Sequence, residues 1–110
     1  MLFVSPEYNR SLPGVLKNAI DWASYGRDQP FTGKVAAIMG ASPGALGGMR
    51  MLPHLRQILN ALGVLMLPGQ FSLPHADQAF DAENGALKSP ARLHALVLEL
   101  VNTTAALKRT

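Results

Sequence analysis

The chain opens on an unbroken apolar run, Met1-Leu2-Phe3-Val4, and turns polar at once through Ser5-Pro6-Glu7-Tyr8-Asn9-Arg10-Ser11. A short apolar run without alternation predicts a strand buried on both faces, as in a parallel sheet. Residues 5–12 then predict a turn-rich loop. Pro13 suits a first helical turn, where its missing N–H costs nothing. Val15, Leu16, Ala19, Ile20, Trp22 and Ala23 recur at helical spacing, with Ile20 and Trp22 expected in the core. Lys17 and Asp21, one turn apart, predict a solvated ion pair. Gly26 to Gly33 reads as a loop.

The pattern then repeats. Lys34-Val35-Ala36-Ala37-Ile38-Met39 predicts a second buried strand, and Gly40 to Gly48 a glycine-rich loop. Met49, Leu52, Leu55, Ile58, Leu59 and Leu62 mark one face of a second helix, with Pro53 confined to its first turns and Gly63 as its terminator. Val64-Leu65-Met66-Leu67-Pro68 predicts a third strand. Gly69 to Ser89 reads as a long surface connection, with room for a short strand about Gln70–Leu73. A last helix follows, with Ser89 as cap candidate and Pro90 in the first turn. Leu93, Leu96, Val97, Leu100, Val101, Thr104 and Leu107 form its apolar face, and Lys108 and Arg109 sit where the helix dipole favours cations. The order βαβαβα predicts a parallel sheet of about three strands with helices on its faces.

Composition narrows the function classes. Of 110 residues, 48 % are apolar and only 15 % charged, which predicts self-association as a homo-oligomer, a dimer or tetramer. The net charge of +3 is spread over scattered Lys and Arg residues, so a nucleic-acid partner is not expected. Cysteine is absent, which rules out disulfides, thiolate catalysis and cysteine-based zinc sites. No leader or membrane span is recognisable, and a cytoplasmic protein without a membrane partner is expected. His54, His75 and His94 lack metal-ligand spacing.

The chemistry concentrates in two loops. In open parallel sheets, ligands lie beyond the carboxyl ends of the strands. Ser5–Leu12 and Gly40–Gly48 both follow strands at that end, so they face each other across a crevice. The glycines permit close backbone approach to a flat ligand, and the loop N–H groups favour a carbonyl-rich, partly anionic edge. Tyr8 is suited to pack on a ring, and Glu7 and Asn9 to orient polar atoms. A second reading takes Gly40-Ala41-Ser42-Pro43-Gly44 as a nucleophile elbow, with Asp77 or Asp81 and His94 completing a serine-hydrolase triad. Pro43 counts against it, because it removes the N–H an oxyanion hole would use.

These residues resemble the NADPH-dependent FMN reductase family of flavodoxin-like quinone and chromate reductases. Pro6-Glu7-Tyr8-Asn9, followed by Ser11-Leu12-Pro13-Gly14-Val15-Leu16-Lys17-Asn18-Ala19-Ile20-Asp21-Trp22, is similar to the family signature almost residue for residue. Gly33-Lys34, a strand, Ala41-Ser42-Pro43-Gly44 and Gly47-Gly48 supply a second match. The likeness runs from residue 1 to about residue 75 and more loosely to the end.

The resemblance implies a flavoprotein in which FMN takes hydride from NAD(P)H at its N5 and passes electrons to a small-molecule acceptor, a quinone, metal oxyanion or azo compound. It implies that Pro6, Glu7, Tyr8 and Asn9 line the isoalloxazine, and that Ala41, Ser42 and Gly44 touch its pyrimidine edge. No catalytic side chain and no metal are implied, because the cofactor carries the chemistry. Family members begin with a strand, a Ser/Arg/Asn-rich phosphate loop and a helix that have no counterpart in residues 1–110. The expectation is therefore a single partial flavodoxin-like domain holding strands three to five of the order 2-1-3-4-5, with an open apolar strand edge. The competing reading is a non-catalytic remnant or assembly module of the same fold without bound flavin.

Overall fold

The computed structural model describes residues 1–108. Four parallel strands and three helices follow in the order β1 (Leu2–Ser5), α1 (Gly14–Ala23), β2 (Val35–Ala41), α2 (Met51–Ala61), β3 (Leu65–Met66), β4 (Phe71–Leu73) and α3 (Ala91–Leu107). The expected α/β parallel sheet is present, with one more strand than the three anticipated.

β2 is the centre. β1 pairs along one side of it, Leu2 opposite Ala37 through Ser5 opposite Gly40. β3 and β4 share the other side, Val35 opposite Leu65 and Met39 opposite Phe71. They are two halves of one interrupted strand. Five steps from Met66 to Phe71 pass three steps of β2, from Ala36 to Met39. The excess falls at Pro68 and Gly69, since proline cannot donate to the ladder. The Arg56 guanidinium spans the gap, donating to the Leu67 carbonyl at 2.8 Å and to Gln70 Oε1 at 3.1 Å.

The side-chain period of two sorts β2 into two cores. Ala36 and Ile38 join Ile20, Leu52, Leu55 and Leu59 under α1 and α2. Val35, Ala37 and Met39 join Leu67, Phe71, Leu96 and Leu100 under α3. α2 ends as the sequence indicates. Gly63, at φ +82°, closes a Schellman motif in which Val64 N–H reaches the Leu59 carbonyl and Gly63 N–H the Asn60 carbonyl. Pro53 lies in the first turn of α2.

Several expectations need correction. Trp22 is not a core residue; it is 73 % exposed, and Val15, Ala19 and Ala23 are exposed with it. Leu16 and Ile20 alone turn inward, because α1 carries two apolar stripes and the sheet can cover only one. Met49 stands before α2 and is exposed. Pro13 and Pro90 precede their helices as capping positions, and Ser89 makes no side-chain cap. The short strand expected about Gln70–Leu73 is present as β4, and the rest of the 69–89 connection is not plain loop: it holds a 3₁₀ turn at Ala76–Gln78 and an antiparallel bridge from Phe80 to Leu87. Lys108 closes α3, while Arg109 lies outside the described residues.

Candidate functional site

The pairing of Ser5 with Gly40 brings the ends of β1 and β2 side by side, so both candidate loops leave the sheet at the same height. The buried Ser5 hydroxyl donates to the Pro6 carbonyl at 2.9 Å and starts the first loop. That loop is a miniature hairpin. Tyr8 N–H donates to the Ser11 carbonyl at 2.9 Å, and Ser11 N–H returns to the Tyr8 carbonyl at 3.1 Å. Asn9 and Arg10 between them have φ of 49° and 66°. Two left-handed central residues mark a type I′ turn, which asparagine tolerates and arginine does not favour.

Two side chains tie this hairpin to α2. Glu7 Oε1 accepts the Met51 N–H at 3.0 Å, a donor it shares with the Gly48 carbonyl at 3.0 Å, at the first residue of the helix, where the helix dipole favours a carboxylate. Ser11 Oγ and His54 Nδ1 lie 2.8 Å apart. Pro6, Tyr8 and Asn9 remain exposed, Tyr8 by 59 %. The loop is held from behind, with its ring and amide free in front.

The glycine-rich loop is held by β4 and the turn after it. Ser42 N–H donates to the Leu73 carbonyl at 3.2 Å. Ala76 N–H reaches the Ser42 carbonyl at 2.9 Å, and His75 N–H the Gly44 carbonyl at 3.0 Å. Most of its glycines serve internal crossings. A Cβ on Gly47 would stand 2.5 Å from the Pro74 nitrogen, and one on Gly48 3.1 Å from Gly40 Cα. The expectation that these glycines admit a flat ligand therefore narrows to Gly44, whose Cβ position meets only Ser42 Oγ, at 3.7 Å. Among the described residues, the N–H groups of Gly44 and Ala45 find no acceptor.

Of the expected site residues, the structure gathers Pro6, Glu7, Tyr8 and Asn9 on one loop and Ala41, Ser42 and Gly44 on the neighbouring one. One loop carries an exposed aromatic ring and the other carries unpartnered N–H donors. The hydrolase triad does not assemble. Ser42 Oγ makes no hydrogen bond to a histidine or carboxylate among the described residues. Asp81 Oδ1 accepts the Glu83 N–H within its own turn, and His94, on α3, lines a groove with Leu2 and Val101. Sequence reasoning missed Ser11, His54 and the α2 start as supports of the loop. They act across separations of 43 and 44 residues, which no local spacing rule reports.

A parallel sheet with helices on both faces and two loops leaving its carboxyl edge defines a flavodoxin-like α/β protein. The family profile described as NADPH-dependent FMN reductase matches residues 1–78, and the chain belongs to that family. It is 52 % identical over 93 residues to an NAD(P)H-dependent FMN reductase of Pseudomonas aeruginosa, covering 84 % of this chain and 50 % of that protein. A quinone reductase of Escherichia coli is 51 % identical over 67 residues, 61 % of this chain and 36 % of its own length. Among solved structures, the flavoenzyme NAD(P)H:(acceptor) oxidoreductase FerB of Paracoccus denitrificans superposes with a TM-score of 0.72 at 34 % identity, covering 96 % of this chain and 59 % of that one. The chain thus spans about half the length of the curated relatives it matches.

Proposed function

We propose that this chain is the isoalloxazine-binding portion of an NAD(P)H-dependent FMN oxidoreductase that delivers electrons to quinone-type acceptors. The observation that carries the reading is the Tyr8–Ser11 turn. It is held in an unfavoured left-handed conformation, anchored twice to α2 and set in register beside the Ser42–Gly44 loop. Backbone held in such regions concentrates at functional sites. Bound FMN supplies hydride acceptance from the reduced nicotinamide and electron delivery to the acceptor.

The side chains hold and orient. Tyr8 would pack on the ring and Asn9 would offer its amide to the ring's polar atoms. The N–H groups of Gly44 and Ala45, beside Ser42, would donate to the ring's carbonyls, while Pro6 and Ala41 would shape the adjoining walls. Glu7 is a positioning residue, because its carboxylate already serves the start of α2.

The same reading takes residues 1–110 as one partial flavodoxin-like domain that acts in the cytoplasm as a homo-oligomer. Support for the oligomer comes from Val15, Ala19 and Trp22, a solvent-facing apolar stripe on α1 at the i, i+4, i+7 spacing of a helix-packing seam. Among the described residues, no helix is long and apolar enough to cross a membrane.

FMN titration followed by flavin fluorescence tests the site. Tyr8→Ala and Asn9→Ala should each weaken binding by about 1–2 kcal/mol, roughly five- to thirtyfold in Kd. A parent chain that binds no FMN overturns the reading, and equal affinities in parent and both variants remove the loop from the site.

A further inference from the structure

A cavity of about 340 Å³ opens in the connection between β4 and α3. Its apolar lining residues Leu73, Ala79 and Leu87 are half-buried, whereas His75, Gln78 and Lys88 are exposed. The space therefore has an apolar floor and a polar rim. Its volume lies at the low end of the roughly 300–1,000 Å³ of small-molecule sites, which suits one nucleotide rather than two.

The chain itself holds the walls. Phe80 and Leu87 form an antiparallel bridge, and Lys88 N–H donates to the Ala79 carbonyl at 2.9 Å. These bonds clamp the segment after the 3₁₀ turn against the one that leads into α3. The opposite wall is shared with the glycine-rich loop. His75 N–H reaches the Gly44 carbonyl at 3.0 Å, and His75 is itself left-handed, at φ 48°. A single stretch of backbone, Leu73 to His75, thus separates the cavity from Gly44.

The rim is cationic. Among the described residues the one ion pair is Lys17–Asp21, so no carboxylate neutralises Lys88. Asp81, in the adjoining hairpin, commits its Oδ1 to the Glu83 and Asn84 N–H groups at 2.8 and 3.3 Å. α3 begins just beyond, at Ala91, with no side-chain cap and no acidic residue in its first turn, so its positive end adds to the field. A phosphate suits this rim and a planar ring suits the floor. The Gln78 amide carries both a donor and an acceptor for a purine edge.

We infer that this cavity takes the adenylate half of the nicotinamide dinucleotide, with the purine against Leu73 and Leu87 and a phosphate at Lys88 and His75. The identity of the ligand rests on the NAD(P)H-dependent reading above. That reading sets the isoalloxazine against Tyr8 and Gly44, and the nicotinamide must meet the isoalloxazine. A cavity one backbone away from Gly44 is within reach of the dinucleotide's other end. The flavin's own phosphate is a second source of the same charge, and the test separates the two.

Adenosine monophosphate is titrated into the isotope-labelled chain without flavin and followed by amide NMR shifts, with adenosine and inorganic phosphate as comparison ligands. FMN is titrated separately by fluorescence. The Gln78 and Ser89 amides should shift with adenosine monophosphate, and adenosine and phosphate should each bind at least about tenfold more weakly. Lys88→Ala should weaken adenosine monophosphate by about ten- to thirtyfold and leave FMN affinity unchanged. His75→Asn, which keeps a residue that tolerates the left-handed backbone, should weaken it by about three- to tenfold. Unshifted amides at millimolar adenosine monophosphate overturn the inference, as does adenosine or phosphate binding equally tightly. A Lys88→Ala chain that loses FMN affinity also overturns it, by assigning the cation to the flavin phosphate. A chain that takes adenosine monophosphate here but no FMN supports the cavity and overturns the flavin reading instead, so the two fail separately.

Discussion

The carboxylate of Glu7 accepts the backbone N–H of Met51 at 3.0 Å, so a loop at the end of β1 closes the first turn of α2, 44 residues on. The helix lacks any other side-chain cap at that end and has no acidic residue in its first turn. Because the Met51 N–H keeps the Gly48 carbonyl as a second acceptor at 3.0 Å, Glu7→Ala should cost about 0.5 kcal/mol, the low end for a lost cap, visible as a lower urea midpoint with an unchanged slope. Glu7→Gln keeps an acceptor but loses the charge, and should fall between the two. Equal midpoints for all three proteins would show that the bond contributes nothing to stability.

Arg10 holds φ of 66° in a turn where glycine is the favoured residue. Arg10→Gly should stabilise the chain by about 0.5–1 kcal/mol, because relief of the left-handed strain outweighs the added freedom of the unfolded chain. Thermal unfolding measures it, and a lower melting temperature would mean that the arginine side chain contributes more than its backbone costs.

Gly44 and Gly47 sit three residues apart and should respond oppositely to alanine. At Gly47 the new methyl group would meet the Pro74 nitrogen and the Leu73 carbon at 2.5 and 2.6 Å, on a backbone already at φ +60°. A loss of about 3 kcal/mol is expected. At Gly44 the space is open, so Gly44→Ala should leave the melting temperature within about a degree and lower FMN affinity alone. A Gly47→Ala protein as stable as the parent would refute the tight crossing.

Trp22 presents most of its indole to solvent, so Trp22→Lys should change chain stability by no more than about 0.5 kcal/mol. If the α1 stripe joins copies of the chain, the same substitution should shift light scattering toward the monomer. An unchanged assembly would place the contact elsewhere.

The sequence made some of this legible and hid the rest for physical reasons. β1, β2, the Gly63 stop and the Lys17–Asp21 pair, whose Nζ–Oδ2 distance is 2.7 Å, all rest on local rules: apolar runs, left-handed glycine and one-turn spacing. Trp22 went astray because spacing finds apolar stripes but does not say which one the sheet covers. β4 was legible as the short strand expected about Gln70–Leu73, even though its framing by Pro68, Gly69 and Pro74 carries turn signal. The two candidate loops were readable as neighbours from the strand–loop–helix order, whereas their anchors, Glu7 on Met51 and Ser11 beside His54, exist only once the chain has folded.

The interruption at Pro68 and Gly69 has a consequence for how the protein behaves when crowded. Fibril-forming segments need about six or seven consecutive strand residues without proline. On the β3–β4 margin the longest uninterrupted strand is three residues, and a guanidinium sits across the break. That side of the molecule is a poor template for amyloid-like growth. The opposite margin, β1, runs for four residues and stops at Pro6, so it too falls short of that length, and neither margin offers a full fibril-forming segment.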